Sequence, residues 1–119
     1  MAEREGRLLG VGVAASPSEA AFSGRGEVRS LYVDPTAQRL GVGRRLLGEV
    51  AATLAAWGYR GAALGVVAGN APAIAFYESL GARAVGRYVD PGPVWRSENV
   101  VLAWEDASAL AGRCRRRGS

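Results

Sequence analysis

The sequence contains no lysine and no histidine, and only one cysteine; all fifteen basic residues are arginine. Without His there is no imidazole base and no His-bound metal, and without Lys there is no Schiff-base chemistry. A single thiol, Cys114, excludes a disulfide framework within the chain. Arginine as the sole base, beside abundant Ala, Gly and Val, is the usage of a G+C-rich genome, so it reads as codon bias rather than function. Long apolar runs are also missing: none approaches the roughly 20 residues that cross a bilayer, and no stretch resembles a secretory signal. The expectation is a chain of a bacterial-type cytoplasm with no metal and no membrane partner.

What is present is the balance of a globular domain. At 119 residues, 49% hydrophobic and 22% charged, the chain is long enough for one layered core and too short for two. The net charge of +4 comes largely from Arg113, Arg115, Arg116 and Arg117. Residues 1–112 therefore read as one nearly neutral domain and 113–119 as a solvated basic tail, and nucleic acid is not the expected partner.

Along the chain, Leu8 to Ala15 is a short apolar run closed by Ser16-Pro17-Ser18, and Glu27 to Val33 is stopped by Asp34-Pro35; both read as strands, paired antiparallel. Val42, Leu46, Leu47, Val50, Leu54 and Trp57 fall at helical spacing before Gly58. Gly61 to Ala68 is an uncharged run suited to a strand covered on both faces, which completes a βαβ unit. Asn70-Ala71-Pro72 opens a second helix that ends at Leu80-Gly81. Ala82 to Tyr88 and Asn99 to Trp104 read as a closing hairpin around the loop Asp90 to Pro93.

Two constellations carry chemistry. Gln38-Arg39-Leu40-Gly41-Val42-Gly43 joins a strand to a helix, and its glycines let the backbone approach a ligand while the first N–H groups of the helix face phosphate oxygens. A tight turn alone needs the same residues. The dinucleotide fingerprint is excluded by Leu46 at its third glycine, and a Walker loop by the absence of Lys. In the second helix, Ala73, Phe76 and Leu80 share a stripe that makes Phe76 core, while Tyr77 lies about 100° away around the helix. A phenol serves as a proton donor in a chain without His, although a Tyr at this spacing is more often a packing residue; Asn70 reads first as a helix cap.

Taken together, Glu27-Val28-Arg29-Ser30-Leu31-Tyr32-Val33-Asp34-Pro35, Gln38-x-x-Gly41-x-Gly43, Leu46-Leu47 and Asn70 to Phe76-Tyr77-Glu78-Ser79-Leu80-Gly81 resemble the two central motifs of the GNAT acetyltransferases. The resemblance covers Glu27 to Gly81. It implies an α/β fold with a central mixed, mostly antiparallel sheet, a βαβ unit and flanking helices, and it implies acetyl-CoA as co-substrate. Carried over, Gln38, Arg39, Leu40, Gly41, Val42, Gly43 and Arg44 would cradle the pyrophosphate, backbone groups near Leu31 and Val33 would pair with the pantetheine arm, and Asn70 would contact the cofactor. Tyr77 matches the proton donor to the departing thiolate, and Glu27 matches a carboxylate that serves some members as general base, against the alternative of a solvent-facing strand residue. A backbone N–H on the second strand would meet the developing oxyanion.

The implied reaction is direct attack of a primary amine, of a small molecule or peptide, on the thioester in a ternary complex; the alternative is a CoA-binding or partner-binding module without turnover. A complete member has an initial strand, two helices and a further strand ahead of the region matching Leu8 to Ala15. Most of the substrate-side wall is thus expected to be missing, and a homodimer is the expected way of covering the exposed sheet.

Overall fold

The computed structural model describes residues 2–4, 7–34, 41–93 and 96–115. In chain order these form β1 (Ala2–Arg4), β2 (Arg7–Ala15), a 3-10 turn (Ala20–Phe22), β3 (Gly26–Val33), α1 (Val42–Ala56), β4 (Ala62–Val67), α2 (Ala71–Ser79), β5 (Arg83–Asp90), β6 (Ser97–Trp104) and α3 (Ala107–Arg115). The strands make one six-stranded sheet in the order β1-β2-β3-β4-β6-β5. Only β3 and β4, the pair joined through α1, run parallel; every other neighbouring pair is antiparallel.

Helix α1 forms because its apolar residues recur on one face: Val42, Leu46, Leu47, Val50, Ala51 and Leu54 are all buried. Each buried Leu contributes about 1.5–3 kcal/mol. The helix lies close on the sheet because the strands beneath it offer glycine. A Cβ at Gly10, Gly12 or Gly26 would stand 2.7, 2.8 and 2.7 Å from Leu46, Val50 and Leu54 respectively. Trp57, which the spacing assigns to this stripe, is instead the helix C-cap and is exposed. Gly58, at φ +98, turns the chain before another helical turn could bring Trp57 over the core.

Two elements depart from the reading of the sequence. β1 extends the sheet beyond β2, and α3 (Ala107–Arg115) carries the fold into residues 113–115, the start of the stretch read as a solvated tail. Ala107, Leu110, Ala111 and Cys114 of α3 are buried against α1, where Gly48 makes room for Cys114. Asp106 accepts a hydrogen bond from Ala109 N–H at the start of this helix, and Arg44 donates one to Arg113 O near its end. Arg113 and Arg115 thus complete a helix terminus, where cations complement the macrodipole, rather than a frayed tail. Arg116 and Arg117 lie outside the described residues.

All three helices cover one face. The main core joins α1, α3 and Leu80 to Val28, Leu64, Val66, Leu102 and Trp104, with Ala73, Ile74 and Tyr77 packed on it from α2. The opposite face carries a smaller cluster of Phe22, Ala63, Val101 and Ala103, with Tyr88 at its side and the 3-10 turn as its cover. Strand alternation places Val13, Tyr32 and Val67 on this second face, and all three are exposed. β4 is therefore covered on both faces only as far as Leu64; Gly65 and Val67 look out on the side without helices. No helix among the described residues is long and apolar enough to cross a membrane.

Candidate active site

The sheet opens between its two parallel strands. β3 and β4 pair only through Gly26 with Ala62 and Glu27 with Ala63, although both strands continue well beyond. Past Glu27, one edge of β3 therefore carries backbone donors and acceptors with no strand partner. An extended chain with amide groups of its own is the natural occupant of such an edge. Leu31 and Val33 lie on this stretch, their side chains packed on Val42 and Leu46 of α1.

At the mouth of the opening stands the start of α1. Gly41 is its N-cap at φ 75 and ψ 12, a left-handed conformation that favours glycine. The helical ladder includes Arg45 N–H bonded to Gly41 O, so the N–H groups of Val42 and Gly43 precede it. A Cβ at Gly43 would stand 3.3 Å from Val33 and 3.7 Å from Phe76, so the end of β3, the start of α1 and α2 meet at this point. The Arg44 guanidinium turns away to α3, which leaves its backbone as the part of Arg44 nearest the cradle. Gln38, Arg39 and Leu40 lie outside the described residues.

Helix α2 reverses one expectation. Phe76, read as core, is 37% exposed beside Gly43, while Tyr77 packs on the core. The docking face of α2 is Ala73, Ile74, Tyr77 and Leu80. It is fixed by Trp104, whose indole N–H donates to Leu80 O at 3.1 Å and whose ring meets that of Tyr77 edge to face at 6.0 Å. Burial pushes the Tyr77 phenol above its ordinary 10.0, so it stays protonated at neutral pH. Asn70 caps the helix, accepting from Ala73 N–H at 3.3 Å.

Glu27 stands at the last β3–β4 pair on the face away from the helices. It is 7% exposed, not the solvent-facing residue of the alternative reading. Its Oε1 accepts from both the Ser18 N–H and the Ser18 hydroxyl at 2.7 Å, and Oε2 accepts from Arg29 Nε at 3.3 Å. Burial alone would raise its pKa; these hydrogen bonds and the Arg29 charge outweigh that and hold the carboxyl below the usual 4.5. Oε1 accepts two hydrogen bonds, so the remaining acceptor capacity of Glu27 lies on Oε2.

Tyr77 and Glu27 thus lie on opposite faces of the sheet. The residues that sequence reasoning passed over here are Phe76 as a surface, and Tyr88 and Asn99, which cross-strand pairing brings together on the face of Glu27. No motif pointed to the last two.

A sheet parted at one parallel pair, with a glycine-capped helix start at the mouth, offers an unpaired backbone edge beside an anion-binding helix terminus. The chain belongs to the acetyltransferase (GNAT) family, whose model matches residues 1–82. It is similar to the ribosomal-protein-S18-alanine N-acetyltransferase of Escherichia coli (28% identity, TM-score 0.63, covering 85% of this chain and 63% of that one). It is also similar to the ribosomal-protein-alanine N-acetyltransferase of Brucella melitensis (28%, 0.69, 87% and 65%). A GNAT family acetyltransferase from Elizabethkingia anophelis with acetyl-CoA bound shares the fold at 16% identity and TM-score 0.68, over 87% of this chain and 72% of that one. The chain spans less than two thirds of the length of the first two. No curated protein sequence matches it.

Proposed function

We propose that this chain is an N-acetyltransferase that moves the acetyl group of acetyl-CoA to a primary amine by direct attack in a ternary complex. The observation that carries the reading is the parting of β3 from β4 after two residue pairs, next to the start of α1. The unpaired edge around Leu31 and Val33 would hold the pantetheine amides. The Val42 and Gly43 N–H groups, with Gln38, Arg39, Leu40, Gly41 and the Arg44 backbone, would hold the pyrophosphate. Asn70 keeps its amide nitrogen for the same ligand. Acetyl-CoA supplies the activated acetyl thioester.

The remaining work falls to the chain. An amine at neutral pH is mostly protonated, with a pKa of about 8 for an α-amino group and about 10 for a lysine-like one. Oε2 of Glu27, directly or through water, takes the proton that must leave before attack. A carboxyl held below 4.5 is a weak base, so its charge serves first to draw the ammonium in, and the proton then leaves through Oε2 or its water to free the attacking lone pair. Tyr77, protonated throughout the working range, donates to the departing sulfur from the helix side. The engagement of Glu27 by Ser18 and Arg29 also favours a second reading, a CoA-binding module without turnover, in which this carboxylate is an anchor for the segment around Ser18.

Calorimetry with acetyl-CoA, followed by thiol release against a panel of primary amines, separates the two. Binding with amine-dependent release that falls about 10²-fold or more in Tyr77→Phe is expected for a proton donor. Binding without release on any amine leaves the module, and absence of binding overturns both.

A further inference from the structure

Beyond the opening between β3 and β4, the face without helices carries a set of polar groups for which the acetyl donor has no use. Gly65 of β4 lies just past the last β3–β4 pair, and the Tyr88 hydroxyl fills the space that a side chain at Gly65 would take. Tyr88 reaches there from β5, across Asn99 of β6, its directly opposed neighbour; Asn99 is opposed on its other side by Val67 of β4. Asn99 is 7% exposed, and its amide oxygen is buried with no hydrogen-bond donor among the described residues. Phe22 holds the Tyr88 ring edge to face at 5.9 Å. A buried acceptor left unpaired, beneath a hydroxyl delivered onto the strand that lines the opening, is the pattern of a site waiting for a donor.

The charge around it is negative in a chain of net +4. Burial raises the Tyr88 phenol above 10.0 against a lowering contact from the Asn99 amide, and the carboxylates Glu19, Glu27 and Asp90 raise it further. Arg29 offsets Glu27. Glu19 and Asp90 have no cation among the ion pairs of the described residues.

We propose that Tyr88 and Asn99, with Glu27, form the subsite for the acceptor amine, and that this subsite selects an acceptor bearing a second positive charge. The ammonium donates to the Tyr88 hydroxyl and to the Asn99 oxygen, entering from the side of half-exposed Val67, while the second charge rests near Glu19 and Asp90. Asn99 is a positioning residue for Tyr88 as well as a contact. This inference rests on the acetyltransferase reading for its reaction, but not for its binding.

The test uses 1,4-diaminobutane and 4-aminobutanoate, equal in length and opposite in distal charge. Each is titrated calorimetrically into the protein saturated with desacetyl CoA, and each is assayed as an acceptor with acetyl-CoA. The diamine is expected to bind at least about tenfold more tightly than the amino acid, the gap shrinking with added salt. Tyr88→Phe and Asn99→Leu should weaken the diamine and raise its KM at unchanged acetyl-CoA affinity, and Asn99→Asp should restore binding. Asp90→Asn, at an exposed position, narrows the preference without touching the core. Equal binding of the two amines, or diamine binding that survives Asn99→Leu and Asp90→Asn, overturns the subsite whether or not turnover occurs. Selective diamine binding without acetyl-CoA binding or thiol release overturns the acetyltransferase reading alone.

Discussion

Glu27 is the residue whose energetics are best defined. Its carboxyl lies below 4.5 in the folded chain because Ser18 and Arg29 stabilise the charged form against burial. A depressed folded pKa adds stability that is complete above the unfolded value and is lost as pH falls through the folded one. The expected outcome is that Glu27→Gln and Ser18→Ala cost stability at neutral pH, about 1–3 kcal/mol for the Ser18 hydrogen bond to a charged group. The gap to the parent should close as the solution is acidified below 4.5. Urea midpoints across that range provide the measurement; a gap independent of pH would mean that the carboxylate is not held by these partners. Gly41 offers a second residue-scale check. With φ at 75 and no described atom within 4 Å of a Cβ there, Gly41→Ala costs roughly 1–2 kcal/mol of backbone strain. It should also weaken acetyl-CoA binding, because the helix start it shapes is the proposed pyrophosphate cradle.

At the scale of elements, the sequence was most informative where periodicity and punctuation agreed. α1 and α2 appear where the apolar spacing, Asn70, Pro72, Gly58 and Gly81 place them, and the β5–β6 hairpin forms around its Pro/Gly loop. The rotation of α2 was not legible for a physical reason: Ala71, Ala73, Ile74, Ala75, Phe76 and Tyr77 make it apolar nearly all round. Only the contact with Trp104 decides that Tyr77, and not Phe76, faces the core. The pairing of Tyr88 with Asn99 was hidden for a related reason, since register across strands leaves no local pattern. α3 was legible in principle, through Ala107, Leu110, Ala111 and Cys114, but the arginines that follow masked the stripe.

The docking of α3 can be read through its one thiol. Cys114 is buried, and burial raises its pKa above 9.0 against the lowering charges of Arg44 and Arg113. It should react with a maleimide at least about tenfold more slowly in the folded protein than in denaturant. Gly48→Val forces a side chain into the space of Cys114, whose Cβ would stand 2.7 Å from a Cβ at position 48. Overpacking of this kind costs about 1–3 kcal/mol and should speed the labelling. In a Cys114→Gly background the stability cost should shrink, which marks the coupling as local to this contact. Fast labelling of the unmutated protein would return α3 to the status of a frayed tail.

For the whole molecule, the governing fact is the asymmetry of the sheet. Among the described residues, three helices cover one face, while Val13, Tyr32 and Val67 leave apolar surface on the other, and the second half of β2 has no strand partner on its outer edge. A sheet that exposes apolar residues on one face and an open edge beside them gains by association. The proposed acceptor subsite occupies the β4–β6–β5 side of that face, so a partner seated on the β2–β3 side, over Val13 and Tyr32, would cover the exposed strands without blocking the acceptor's entry. A second copy of this chain is the simplest such partner, because a two-fold arrangement buries the same patch on both subunits. Sedimentation velocity over a range of concentrations should then show a dimer, and Val13→Glu with Tyr32→Glu should shift it to monomer. The monomer should keep its affinity for acetyl-CoA, held on the helix side of the opening, while losing turnover and affinity for the amine. A monomer at every concentration, with acceptor binding intact, would mean that the subsite is complete within one chain and that the acceptor itself covers the exposed strands.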